Sequence, residues 1–137
     1  MYTLQTAGFD LRHERALELA KATLDAVRVS ATVAAVPLDK RAQWLGYCVR
    51  TTDVGIEVFT LFCNDPICGN VGRLKKVCAD ALDLANLEPG LGAQLSSSRP
   101  RDREAIRNLR REALDIMQLH FAPTHPDMVE LRRHLGL

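Results

Sequence analysis

Along most of this chain apolar side chains return every three or four residues, the spacing that gathers them on one face of an α-helix. Breaks fall at Pro37, at Asn64-Asp65-Pro66 with Gly69 and Gly72, at Pro89 to Gly92 leading into Ser96 to Ser98, and at Pro123 with Pro126. They cut the chain into five periodic segments. The first runs from about Asp10, a suitable N-cap, to Ala35, with Leu17, Ala20, Leu24, Val27 and Ala31 on one face. The second runs from about Leu38 to Cys63 with Asp39 as its cap. Here Ala42, Leu45, Val49, Thr52, Ile56, Phe59 and Cys63 alternate steps of three and four, the strongest periodicity in the chain.

A strand pattern competes in two places. Residues 27–33 alternate with period two, and so do Val54, Ile56, Val58, Thr60 and Phe62. Gly46 and Gly55 each weaken a helix by about 1 kcal/mol relative to Ala. The third segment, about Asn70 to Asn86, carries Val71, Leu74, Cys78, Ala81 and Ala85. The fourth, about Pro100 to Phe121, carries Ile106, Leu109, Ala113, Ile116 and Met117, and Pro100 suits its first turn. The fifth, Pro126 to Leu135, turns Met128, Leu131 and Leu135 inward. The expected fold is all-α, an antiparallel four-helix bundle with a short fifth C-terminal helix, as one domain over 1–137. The alternative is α+β, with a small hairpin or sheet from 27–36 and 54–62.

Composition adds little to that picture. At 137 residues, with 47% hydrophobic and 26% charged side chains, the chain has the makings of a folded core without staples. No basic region precedes an apolar run near Met1, and no stretch nears the roughly 20 apolar residues of a membrane span. Cytoplasmic localisation is therefore the expectation, with no membrane partner. Four Cys then read as buried or free thiols rather than a disulfide framework.

The net charge of +1 hides an uneven distribution. Residues 78–98 hold Asp80, Asp83 and Glu88 with no Lys or Arg, whereas residues 99–111 hold six Arg against Asp102 and Glu104. With Ile106 at zero on a helical wheel, Arg110, Arg103, Arg107 and Arg111 fall at about 40° to 140°, beside the apolar face. Glu104, Asp115 and Glu112 fall at about 160° to 240° on the same wheel. Together with Arg99 and Arg101, this stripe offers planar guanidinium forks to carboxylates or phosphates. It suits an acidic protein surface, a second copy of the chain, its own 78–98 region, or a phosphate backbone. A solvated face whose Arg stems cover apolar surface is the plainest reading. Aromatic residues that would stack on bases are missing from the stretch. Trp44 and Tyr47 lie off the seam of the second segment. Either that helix is buried nearly all round, which the pattern favours, or a second face meets a partner.

Other chemistry finds weak support. Cys63 and Cys68 form a C-x4-C pair with Cys48 before and Cys78 after. In a helical hairpin Cys48 would stand roughly 22 Å before the turn and Cys78 roughly 15 Å beyond it, too far apart in height for one zinc site. Cys63, Cys68 and Cys78 remain weak metal or redox candidates, and no cofactor is expected. The four His lack the spacing of di-iron or zinc-protease motifs, and no nucleophile elbow, P-loop or dinucleotide fingerprint occurs. The expectation is a non-enzymatic interaction or regulatory module, of adaptor or inhibitor type, binding through the Arg-rich helix and apolar surface. Nucleic-acid binding by residues 99–111 is the alternative, and a cysteine-based zinc or redox protein the second.

Overall fold

Helical periodicity prevails over strand alternation wherever the two compete within view. A computed structural model of the chain describes residues 14–22, 25, 38–62, 64–87 and 102–137. Residues 14–22 are helical. Next come α1 (Leu38–Glu57), which passes into a π-helical turn (Val58–Phe62), then α2 (Gly69–Leu87), α3 (Arg103–Met117) and α4 (Pro126–Leu135). Among the described residues there is no strand, and the helices pack as an all-α bundle. The 54–62 strand is thus excluded. Its β-branched residues sit on a continuous helix because Thr52 and Phe59 bury on the same face as Leu45 and Val49. The 27–36 strand lies outside the described residues.

The predicted stripes are the core. Leu17, Ala20, Ala42, Leu45, Val49, Leu74, Cys78, Ala81, Ala85, Ile106 and Leu109 join one cluster. Ala113, Met117, Met128, Leu131 and Leu135 join a second. The central helix is α2, which packs on α1, α3 and α4 and is buried without a break from Lys76 to Leu82. This corrects the expectation that the second segment is the one buried all round. On α1, Trp44 and Tyr47 remain 36% and 45% exposed.

Several boundaries shift for local reasons. Asp39 lies inside α1 rather than capping it. The fourth helix starts at Arg103 rather than Pro100, because Asp102 in extended backbone accepts a hydrogen bond from the Ala105 amide. It ends at Met117 rather than Phe121, in a turn that leads to Pro123. For α4, the His125 Nδ1 accepts from the Asp127 amide, Pro126 opens the first turn, and Gly136 closes the helix at φ 76°.

Gly69 and Gly72, which read as breakers, belong to α2 instead. A Cβ on Gly72 would lie 2.7 Å from Met117 Cγ and 3.2 Å from the Ala113 carbonyl oxygen. The missing side chain is what lets α2 and α3 approach closely. Contacts from Gly72–Met117 through Lys75–Glu112 to Asp83–Arg110 show the two helices running antiparallel.

Candidate functional site

At the far end of the α2–α3 pair, charged contacts join the apolar ones of Ala81, Ala85, Ile106 and Leu109. Asp80 and Asp83 share a side of α2, three residues apart, and Arg110 reaches them from α3. The Arg110 Nη2 donates to Asp80 Oδ1 at 3.0 Å and to Asp83 Oδ2 at 3.1 Å. One turn earlier on α2, the Lys76 Nζ donates to Asp80 Oδ2 at 2.9 Å and pairs with Glu130 Oε2 of α4 at 3.3 Å. The Asp80 side chain is 2% exposed and is held by both cations. Burial strengthens these contacts and removes the water that would replace them. The network therefore ties three helices together through two ionic partners.

A cleft of about 510 Å³ opens beside this network. Asp83 and Asn86 from the end of α2, Arg103, Ile106, Arg107 and Arg110 from α3, and His134 and Leu135 from the end of α4 line it. Among the described lining residues, three guanidiniums face one carboxylate, and that carboxylate is already bonded to Arg110. Arg107 Nη2 donates to the Leu135 carbonyl oxygen at 3.5 Å, which holds its stem across the last turn of α4. The Arg110 Nε–H is buried with no acceptor. His134 titrates below its ordinary 6.5, chiefly because the cleft wall partly desolvates it and then because the Arg110 charge opposes its protonation. The Asp80 and Glu130 carboxylates pull the other way, with Arg133 adding to the depression.

Asp80, Glu130 and His134 also bring donor atoms within 4.8 Å of one another, the one such grouping among the described residues. The Lys76 ammonium already bridges both carboxylates, so a metal ion would have to displace it. Sequence reasoning missed this grouping, since its members stand on α2 and α4, some fifty residues apart. The four-residue step from Glu130 to His134 was its only local sign.

The expected site residues separate. Arg110 meets the acidic segment of its own chain. Arg103, Arg107 and Arg111 are exposed, and among the described residues none of them forms an ion pair. Arg99 and Arg101 lie outside the described residues. Trp44 and Tyr47 are exposed on α1, and α1 and α3 each pack on α2, so the aromatic and Arg surfaces do not form one site.

The described cysteines do not assemble into one site. Cys48 is buried and its thiol donates to the Ala20 carbonyl oxygen at 3.2 Å, Cys78 is buried, and Cys68 is half-buried at the turn, none of the three in a disulfide. Cys63 lies outside the described residues. No described helix is long and apolar enough to cross a membrane.

Comparison with protein-family models, curated proteins and solved structures gave no match to this chain.

Proposed function

We propose that this protein is a small, non-enzymatic interaction module that captures an acidic surface of a protein partner through α3. One observation supports the reading above the others. Of the four described arginines on α3, only Arg110 is paired with a carboxylate among the described residues, while Arg103, Arg107 and Arg111 are exposed on one helical edge. Guanidinium forks on a rigid helix lose little freedom when they pair with carboxylates, which favours them as interface anchors. The helix itself is fastened by its buried Ile106, Leu109, Ala113 and Met117.

A tagged pull-down from a lysate of the native source, split into nuclease-treated and untreated halves, tests this. The expected result is a defined protein that survives nuclease and is lost when Arg103, Arg107 and Arg111 are all changed to Glu, with helicity by circular dichroism unchanged. Recovery of nucleic acid, or of proteins that vanish with nuclease, would replace this reading with phosphate-backbone binding. A steep fall in affinity between low and moderate salt would then accompany it.

A further inference from the structure

The cleft at the charged end has features that an open protein-binding ridge does not need. Its volume of about 510 Å³ is of the size that encloses small molecules. Its walls alternate in character: the buried Ile106 and Leu135 give apolar surface beside the guanidiniums. Two of those guanidiniums are fixed before any ligand arrives, Arg110 by Asp80 and Asp83, and Arg107 by the Leu135 carbonyl. Fixing a side chain in advance reduces the rotamer entropy lost on binding. The Arg110 Nε–H adds a buried donor without an acceptor, on a residue that lines the cleft.

From these observations we infer that the cleft is a binding site for a small organic anion, a carboxylate or phosphate carried on an apolar body, held by Arg103, Arg107 and Arg110 over Ile106 and Leu135. This goes beyond the capture of a protein partner, because the ligand sits inside the cleft and Arg111 is not part of the lining. Among the described lining residues, Arg103 and Arg107 have no paired carboxylate, while Asp83 is already bonded to Arg110, and this sets the sign of the ligand. A cation would meet repulsion from Arg103 and Arg107, and a neutral molecule would leave the charge-assisted donors unused.

His134 gives the site a signature in pH. It faces Lys76, Asp80 and Asp83 of α2, Arg103, Arg107 and Arg110 of α3, and Glu130 and Arg133 on its own helix. Its imidazole is harder to protonate than an ordinary one, and it adds a further cation to the lining only as the pH falls below 6.5 through its lowered value. A bound anion favours that protonation, so by linkage the anion binds more tightly as the pH falls.

The test is a nuclear magnetic resonance titration of the full chain with benzoate, phenyl phosphate and, as a neutral control, benzyl alcohol. Either anion should shift the His134 ring and the Arg103 and Arg107 side-chain signals saturably, with a dissociation constant of about 1 mM or tighter, and the alcohol should not. The tighter of the two anions identifies the acidic group the cleft prefers. Changing Arg103 and Arg107 together to Gln should weaken binding by about tenfold or more with circular dichroism unchanged. Arg110 is left in place because it holds Asp80. Benzoate stays ionised down to about pH 5.5, and as the pH is lowered toward that limit its binding should tighten more in the parent than in His134→Gln.

Failure of both anions to bind a chain with native circular dichroism overturns the inference, as does binding indifferent to the Arg103 and Arg107 changes. An acidic peptide whose binding is lost in Arg111→Glu, found alongside failure of both anions, would sink the cleft site alone and leave the partner reading standing.

Discussion

The two ends of the α2–α3 pair are held by different means. At one end Gly72 lets the helices close until Met117, Ile116 and the Ala113 backbone fill the gap, and Phe59 and Val71 complete an apolar joint. At the other, Lys76, Asp80 and Arg110 add a buried ionic joint to the apolar packing of Ala81, Ala85, Ile106 and Leu109, and a cleft stays open beside it. Apolar packing tolerates no gap, because a void simply forfeits contacts. Ionic contacts act through a few fixed atoms and leave space around them. A helix pair fastened this way at one end can stay firmly joined while a cleft opens beside it.

The largest expected effect comes from breaking the ionic end. Asp80→Asn leaves Lys76 and Arg110 buried without their shared carboxylate and should lower stability by about 3–5 kcal/mol in urea denaturation. A loss below about 1 kcal/mol would mean that the network is far more hydrated than its burial implies. Next is the apolar end. Gly72→Val pushes a branched side chain against Met117 and the Ala113 carbonyl and should cost about 1–3 kcal/mol, with no effect on anion binding. If that variant changes cleft affinity as much as stability, the two ends are coupled rather than independent.

A smaller effect sharpens the contrast through pH. His134 is harder to protonate folded than unfolded, so the unfolded chain takes up the proton first on acidification. Its contribution to stability is complete above pH 6.5 and is lost as the pH falls from there through the lower, folded value. In His134→Gln the midpoint of thermal unfolding should vary less across that window than in the parent. The smallest effect belongs to the solvent edge of the same helices. Lys75→Gln removes the half-buried partner of the exposed Glu112 and should change stability by about 0–1 kcal/mol, read from the same denaturation curves.

Much of the fold was legible because burial and periodicity speak the same language. Leu17 and Ala20, the α1 seam from Ala42 to Phe59, and the stripes of α2, α3 and α4 were all readable as inward positions and all pack inward, with Ile56 half-buried. Caps were less legible. Asp102, rather than Pro100, starts α3, since capping depends on which carboxylate the backbone turns toward the free amides. The rank of the helices was not legible either. An aromatic pair off the α1 seam looked like burial on every side, yet the helix buried without a break from Lys76 to Leu82 is α2, whose charged residues disguised it. Arg110 shows the same limit, since one wheel position next to Arg107 places it inside the protein and its neighbour outside.

By itself, the sequence determined that this chain is helical, where its helices lie and which faces they bury. Those properties follow from local spacing, because a helix turns a fixed angle per residue whatever surrounds it. Only the tertiary structure decided that Asp80, Arg110, Glu130 and His134 meet, that one arginine of the stripe is spent inside the chain, and that a cleft remains beside it. Such contacts join residues tens of positions apart, and their energies depend on burial, which exists only once the helices have packed.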